Sequence, residues 1–311
     1  MRFPFISSKN IEFNYQIMLA PICLFTYNRL NETQQTVFAL QKNFLAHESE
    51  LFIFSDGPKN EESVYKVNQV RSFIKNITGF KSVTIFESKR NKGLANSIIQ
   101  GVTKIIEKYS KVIVLEDDLI TSPNFLDFMN QALDFYHNNS NIFSISGYTM
   151  NLPTLKGYSK DFYLGYRASS WGWATWNNRW VNVDWGLKDY KEFLNNSEQI
   201  IAFRRGGSDM PQMLKSQMNG KIDSWAIRWC YNQFKKDQLT VFASSSKIQS
   251  IGFGENATHT KKTKRFDTEI DKSEKINFNF NSKIELNKNL IREFRNKFSF
   301  INRLKDILLS K

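Results

Sequence analysis

Three consecutive carboxylates, Glu116, Asp117 and Asp118, directly follow an apolar run from residue 112 to 115. Such a run is typical of a strand that is buried on both faces of a parallel sheet. Adjacent acids at the end of this strand repel one another and lose hydration, and a divalent cation relieves both effects. Mg²⁺ and Mn²⁺ prefer oxygen ligands, and Mg²⁺ usually combines one or two carboxylates with substrate phosphates. The triplet therefore suggests a metal that holds a diphosphate.

An alternative is that the three acids only cap the helix that follows them. Ser122 and Pro123 suit that position better, because Ser is a favoured N-cap and Pro is favoured at the first helical position. The acids are then left without a local structural role, which favours the metal site.

Polar residues also follow the three preceding predicted strands: Arg29 the first, Asp56 the second, and Asn91 with Lys92 the third. Ligands of open α/β sheets bind outside the carboxyl ends of the strands, so these residues should lie near the triplet. Arg29 can pair with phosphate, Asp56 can accept a hydrogen bond from a nucleobase N–H, and the helix that opens after Lys92 can attract anions. The structural alternatives are a turn for Asp56, a cap for Asn91 and solvated surface for Arg29 and Lys92.

The tryptophans are concentrated in one segment, with five of the seven between residues 171 and 185. This segment opens with Trp171, Gly172 and Trp173. Clustered rings separated by small residues suit a floor against which a sugar stacks, and an aromatic core under loops is the alternative. Gly172 between two tryptophans suggests a backbone that lies close to another group.

Two further residues have side chains that suit this chemistry. Asp223 precedes a predicted helix, where it is either the N-cap or the carboxylate that removes a proton from an attacking hydroxyl. His259 ends a glycine-rich loop, where it either contacts the metal or the diphosphate or is an ordinary loop residue.

The elements that must position these residues alternate along the chain. Hydrophobic patterning predicts strands at 17–27, 51–54, 83–86, 112–115 and 142–148, and helices at 31–43, 64–77, 94–109 and 124–137. This alternation predicts βαβ units and an α/β fold with a mostly parallel central sheet flanked by helices. No Gly-rich dinucleotide fingerprint and no Walker loop occurs, which disfavours dehydrogenases and P-loop enzymes.

The composition limits the kinds of binding partner that we expect for the chain. The chain has 311 residues, 41% of them hydrophobic, and a formal net charge of +13. The charge favours an anionic partner: nucleic acid, an acidic membrane surface or phosphorylated substrates. Nucleic acid is disfavoured, because the aromatics cluster at 171–185 whereas the basic excess lies largely in the tail. We expect a cytoplasmic protein, since no signal peptide or spanning segment is evident and only two cysteines occur.

The C-terminal tail combines a weakly patterned stretch with a helical pattern. Residues 267–286 look weakly ordered. Residues 290–309 carry an apolar stripe opposite a basic face, which predicts one amphipathic helix. This helix can lie on an anionic membrane surface or dock on the domain.

Taken together, these motifs resemble those of the GT-A fold glycosyltransferases, in particular the bacterial family-2-like enzymes, with a further likeness to the N-acetylglucosaminyltransferase I group. The likeness covers roughly residues 17–260. It implies a lead-in at 1–16, a GT-A catalytic domain at 17–260 and a basic tail at 261–311. Within the catalytic domain, it implies a nucleotide-sugar half at 17–120 and an acceptor half at 121–260.

The resemblance also implies a role for each candidate residue. Asp118 would bind Mn²⁺ or Mg²⁺, and Asp223 would be the catalytic base. The nucleotide sugar would be bound by Arg29, Asp56, Asn91, Lys92, Glu116, Asp117, Trp171, Gly172, Trp173 and His259. One departure concerns the base: the eukaryotic group has two adjacent acids before the tryptophan, where this chain has Asp223 and Ser224. If the base belongs at the second position, Ser224 cannot supply it.

The activity that the resemblance implies is an inverting, metal-dependent transfer of a hexose or N-acetylhexosamine. The expected donor is a UDP-sugar, and the expected acceptor is a hydroxyl of a glycan or lipid-linked glycan, reached at the inner face of the membrane. A retaining glycosyltransferase or a nucleotidyltransferase would use the same metal acids.

Overall fold

The computed structural model describes residues 18–252 and 265–309, with side chains as far as residue 304. The described residues form one large sheet and a short two-stranded ribbon. The strands are β1 Ile22–Thr26, β2 Glu50–Ser55, β3 Ser82–Glu87, β4 Lys111–Glu116, β5 Leu119–Thr121, β6 Ile142–Ser146, β7 Phe162–Gly165, β8 Trp173–Trp176, β9 Leu239–Ala243 and β10 Ile248–Ser250.

Helices pack on both faces of the large sheet. They are α1 Leu30–Gln41, α2 Glu61–Ile74, α3 Leu94–Tyr109, α4 Phe125–Phe135, α5 Asn177–Trp180, α6 Tyr190–Leu194, α7 Ser197–Phe203, α8 Met210–Met218, α9 Trp225–Lys235, α10 Lys288–Lys297 and α11 Phe300–Leu309. The predicted α/β class, with a central sheet flanked by helices, is confirmed.

The large sheet has the strand order β3-β2-β1-β4-β8-β6-β9-β7. Strands β1 to β4 pair in parallel, and β6 pairs in parallel with β9, whereas β8 and β7 pair with their neighbours antiparallel. The chain runs outward from β1 to β3 and then returns to place β4 on the other side of β1. This reversal creates a topological switch point at the carboxyl ends of β1 and β4, where open α/β sheets bind ligands.

The core follows from the alternation of side chains along the buried strands. In β1, Ile22 and Leu24 face one side of the sheet, and Cys23 and Phe25 face the other. The first side is covered mainly by α1, α2, α4 and α10, and the second by α3, α8 and α9. Helix α3 spans the predicted residues 94–109, with a regular apolar stripe buried against the sheet.

The ribbon of β5 and β10 holds the chain over the end of β4. The two strands pair antiparallel, with Ser250 opposite Leu119. Because β5 follows the acidic triplet, helix α4 begins only at Phe125, after Asn124. The predicted cap at Ser122 is therefore wrong: its hydroxyl donates to Asn124 Oδ1 at 2.8 Å.

The C-terminal tail differs from the prediction in two ways. Residues 265–287 pack along α4 and β7 instead of lying loose, with Phe278 and Phe280 against the ring of Phe128. The predicted single amphipathic helix is two helices, and in α10 the residues Leu290 and Phe294 are buried in the core. The apolar face of α10 is thus used for docking. In the described part of the chain, no helix is long and apolar enough to cross a membrane.

Candidate functional site

A cleft of about 450 Å³ lies at the carboxyl ends of β1, β2 and β4 and at the start of α3. Eight of the predicted site residues line it. They are Arg29, Asp56, Asn91, Glu116, Asp117, Asp118, Trp171 and Asp223. Sequence reasoning missed several further lining residues, among them Phe25, Tyr27, Asn28, Phe54, Lys59, Ser250 and Gly252.

The acidic triplet is balanced by one guanidinium. Arg29 forms ion pairs with Asp117 and, at 3.0 Å between Nη1 and Oδ2, with Asp118. Loss of hydration raises the pKa of Glu116 to about 8, and repulsion from Asp118 and Asp117 adds to this rise. Burial also raises the pKa of Asp117 to about 6, against the opposing charge of Arg29. One cation is therefore too little to offset three crowded carboxylates.

Backbone contacts fix the turn that carries the acids. The Thr36 hydroxyl of α1 donates to the Asp117 carbonyl at 2.9 Å and accepts the Leu119 N–H at 3.1 Å. The Ile251 N–H donates to the Asp118 carbonyl at 2.9 Å. Thr36 lies on the inner face of a predicted helix and has no pattern that would mark it as part of a site.

Gly252 sets the position of the Asp118 side chain. A Cβ on Gly252 would lie 2.0 Å from Asp118 Oδ2, so only glycine permits this close approach. The side chain of Asp118 keeps 17% of its surface exposed in the cleft, compared with 5% for Asp117. Asp118 is therefore the acid best placed to meet a ligand.

The donor set fits a hard cation that takes most of its ligands from a bound molecule. No group of three or more His, Cys, Asp and Glu side chains in the described residues forms a complete metal site. One open carboxylate, Asp118, suits Mg²⁺ or Mn²⁺ bound chiefly by phosphate oxygens and water. Arg29 pairs with one oxygen of the Asp117 carboxylate, but the buried Oδ2 has no hydrogen-bond partner, so part of the negative charge stays unpaired beside Asp118. A cation bound at Asp118 would stabilise this charge.

Asp56 organises the loop after β3. Its carboxylate accepts the N–H groups of Gly57 at 2.8 Å, of Lys92 at 2.9 Å and of Gly93 at 3.1 Å. Asn91 donates to the Gly57 carbonyl at 3.0 Å. Asp56 therefore stabilises a turn, which was the structural alternative to recognition of a nucleobase. Its side chain also lines the cleft. Together these bonds hold the start of α3 toward the cleft.

The side chain of Lys92 does not line the main cleft. Its Nζ bonds to Gln100 Oε1 at 3.0 Å and borders a smaller cavity behind the strand ends.

Asp223 lines the main cleft, near the start of α3. The N-cap of α9 is Ser224, whose hydroxyl accepts the Ile227 N–H at 3.3 Å. Asp223 is exposed, and its Oδ2 lies 3.6 Å from where a Cβ of Gly93 would be. No hydrogen bond between described residues uses this carboxylate, so it is available to a ligand.

The three residues of the aromatic motif have different surroundings. Trp171 lines the cleft. Gly172 has φ of +56°, and its close neighbour is Ile248, which a Cβ would approach to 2.4 Å. Trp173 is fully buried against Trp180 and other core tryptophans, so its expected place in a sugar pocket is wrong. The motif is therefore mainly core, with Trp171 at its open end.

The prediction for His259 lies outside the described residues, as does the loop around it. The predicted domain boundaries at residues 16 and 260 lie there too.

Comparisons with known proteins give only remote likenesses. The sequence matches no family model and no curated protein. Three similar solved structures have low TM-scores. A mannosyltransferase from Pyrobaculum calidifontis, in complex with GDP-Man and Mn²⁺, has 8% identity and a TM-score of 0.35 over 52% of this chain and 48% of that one. TarS from S. aureus has 12% identity and a TM-score of 0.30 over 40% of this chain and 21% of that one. The galactosyltransferase LgtC, in complex with donor and acceptor sugar analogues, has 11% identity and a TM-score of 0.33 over 68% and 70%.

This chain thus spans about half of the mannosyltransferase and a fifth of TarS. At such scores none of the likenesses assigns an activity, and the function has to be inferred from the cleft.

Proposed function

We propose that the chain is a glycosyltransferase of the GT-A type, which moves a sugar from a nucleoside-diphosphate sugar to an acceptor hydroxyl with inversion. One observation carries this proposal: the carboxylates of Asp118 and Asp223 line one cleft together with Arg29, which pairs with Asp118, whereas no hydrogen bond between described residues uses Asp223. A cation site in the same cleft as a free carboxylate suits a displacement with a diphosphate leaving group.

The donor would lie across the strand ends. Asp118 would hold Mn²⁺ or Mg²⁺, and Arg29 and the start of α3 would meet phosphate oxygens. The nucleoside half would lie toward Asp56 and Asn91, where Phe25 and Phe54 stack at 5.0 Å between centroids. Trp171 would border the transferred sugar. We expect UDP as the nucleotide, from the resemblance of the sequence motifs.

In the transfer step, the acceptor oxygen attacks the anomeric carbon while the bond from that carbon to the diphosphate oxygen breaks. The acceptor proton passes to the carboxylate of Asp223, and the electron pair of the broken bond leaves with the diphosphate. Arg29 offsets negative charge that develops on this leaving group. A bound divalent cation supplies Lewis-acid stabilisation of the same diphosphate.

The first test is a thermal-shift panel of UDP, GDP, CMP and TDP, each with and without Mn²⁺. A ligand at about 100 times its Kd stabilises the folded state by roughly 2.7 kcal/mol. We expect a metal-dependent increase in Tm with one nucleotide. If no nucleotide stabilises the folded protein, with or without metal, the proposal fails. Salt-sensitive oligonucleotide binding in that case would favour a nucleic-acid partner instead.

The second test separates binding from chemistry with Asp223→Asn. Removing a general base should lower the transfer rate by about 10² to 10⁴-fold, with metal-dependent nucleotide binding unchanged. Glu107→Gln on α3 is the control, because it also removes one exposed carboxylate but lies outside the cleft. Full activity in Asp223→Asn would point to a retaining glycosyltransferase or a nucleotidyltransferase.

The acceptor is proposed to be a surface glycan on a lipid carrier, with the chain bound to the inner face of the membrane. On α11, Phe300 and Ile301 keep 69% and 66% of their surface exposed, which suits contact with lipid. Cosedimentation with anionic vesicles should be lost in the Phe300→Ser, Ile301→Ser double variant if this helix makes the contact.

A further inference from the structure

A second cavity, of about 330 Å³, lies behind Trp171 and is separate from the acidic cleft. It is open to solvent on one side and is bordered by α9, the segment before β8 and the C-terminal helix α10. Its walls are mostly apolar and include Met150, Ala226, Phe294 and Phe298. Its volume is within the range of about 300–1,000 Å³ that is usual for small-molecule sites.

The polar side chains that border this cavity are largely occupied. Arg167 makes a bidentate pair with Asp209, at 2.9 and 3.1 Å, and its guanidinium lies 3.9 Å from the centre of the Phe298 ring. The Tyr148 hydroxyl donates to the Phe266 carbonyl at 2.8 Å.

Among the smaller polar groups, the Ser169 hydroxyl accepts the Trp171 N–H at 3.2 Å, whereas the Ser170 hydroxyl has no hydrogen bond among the described residues. The Cys230 thiol donates to the Ala168 carbonyl at 3.4 Å, and the Ser224 hydroxyl accepts the Ile227 N–H at 3.3 Å. A sugar ring buried here would therefore lose water from its hydroxyls and find few partners in return, which is unfavourable. A hydrocarbon group has no such requirement and gains from burial.

The cavity adjoins the proposed catalytic site. Trp171 lines both spaces, and Ser224, which borders the cavity, directly follows Asp223. A molecule with a hydrocarbon end in the cavity would thus present its other end beside Asp223.

We propose that this cavity binds the aliphatic chain of an amphiphilic acceptor, so that the chain anchors the acceptor and its hydroxyl reaches Asp223. The position of the hydroxyl rests on the proposed glycosyl transfer, whereas chain binding by the cavity does not. The occupant is a hydrocarbon chain of acyl or isoprenoid type.

The test uses cis-parinaric acid, a fluorescent fatty acid, with the full-length protein at high salt to screen its positive charge. Ala226→Phe on α9 fills the cavity, and Ala39→Phe on α1 is the matched control, because it adds the same ring to a half-buried helical alanine outside both cavities. We expect saturable binding to the wild type and to Ala39→Phe, and binding at least about tenfold weaker in Ala226→Phe. Dodecanol and farnesol should displace the probe, and free maltose should not.

Equal affinity of the wild type and Ala226→Phe would overturn the proposal, as would displacement by maltose but not by dodecanol. The Mn²⁺-dependent increase in Tm with nucleotide is measured on the same samples. It tests the catalytic cleft independently of the cavity. If Ala226→Phe abolishes probe binding but no nucleotide stabilises the protein, the two proposals separate. The cavity then binds a hydrocarbon chain, and the proposed glycosyl transfer is rejected.

Discussion

Replacing Gly252 with alanine should damage the proposed cation site without removing any of its proposed ligands. A Cβ at this position would lie 2.0 Å from Asp118 Oδ2 and 2.8 Å from its Cγ. Gly252 does not adopt a left-handed backbone conformation, so the effect comes from contact with Asp118 alone. Either the Asp118 side chain turns away or the backbone at Gly252 moves.

The size of the effect follows from this distance. Relief of the contact needs a displacement of roughly 1 Å, and a misplacement of this size at a reacting site costs about 10²-fold in rate. If the backbone moves instead, the bond of 2.9 Å from the Ile251 N–H to the Asp118 carbonyl is at risk. Its loss costs about 1 kcal/mol of stability, or roughly 2 °C in Tm for a chain of this size. We therefore expect a large loss of function with a small loss of stability.

The assay measures the transfer rate as a function of Mn²⁺ concentration, together with the Mn²⁺-dependent nucleotide shift in Tm. Gly186→Ala is the control, because its Cβ would meet only Asp184 Oδ1 at 3.4 Å, an ordinary contact. A wild-type rate with wild-type metal dependence in Gly252→Ala would refute the role of Asp118 as the metal ligand. If Gly252→Ala lowers Tm so far that unfolding accounts for the lost activity, Gly252 serves the fold and not the cation site.

Two predictions concern stability and are checked by urea unfolding. Asp271→Asn leaves Lys247, whose side chain is 3% exposed, without its partner and should cost about 3–5 kcal/mol, whereas the Lys247→Met, Asp271→Asn double variant should recover most of this loss. Burial acts to raise the pKa of Asp271, but its hydrogen bonds with Lys247, the Ser273 N–H and Asn124, together with the charge of Lys247, outweigh this and lower the pKa, so the wild type should lose stability below about pH 4 more steeply than Asp271→Asn does. Leu290→Ala should cost about 2–5 kcal/mol because α10 is docked, and Ile301→Ala, on the exposed face of α11, should change stability by less than about 0.5 kcal/mol.

The first half of the fold is predictable because local signals and tertiary packing agree there. Helix α3 begins after Gly93 and has an apolar stripe, so its bounds match the prediction. The first strand was predicted from residue 17 but begins at Ile22, because Pro21 has no N–H to give to a sheet ladder. In the tail, Ser299 marks the break that the prediction missed: its hydroxyl accepts the Asn302 N–H at 3.3 Å and starts a new helix.

The tryptophan-rich segment shows why part of the site could not be predicted. Its composition fits an open sugar floor and a closed core equally well. The choice depends on Trp225 and Trp229, which lie on α9 and pack against Trp173 with tilted rings, at 5.1 and 5.6 Å between centroids. No local pattern links two helical residues to a strand that lies about 50 positions earlier in the sequence. Partners that come from distant segments decide which aromatic ring remains at the surface.

The pairing of Arg29 with the acidic triplet follows from topology rather than from spacing. Arg29 and Asp117 are 88 positions apart, yet they meet because β4 returns to the side of β1 that β2 leaves free. Helix α1, which follows β1, covers one face of the sheet, and helix α3, which leads from β3 into β4, covers the other. The carboxyl ends of β1 and β4 lie side by side where the strand order reverses. Charges placed at these two strand ends therefore converge. The guanidinium of Arg29 offsets only part of the negative charge of the three acids. The remaining negative charge would be stabilised by a second cation. The proposed cation site would thus be a consequence of the strand order together with the polar residues that end these two strands.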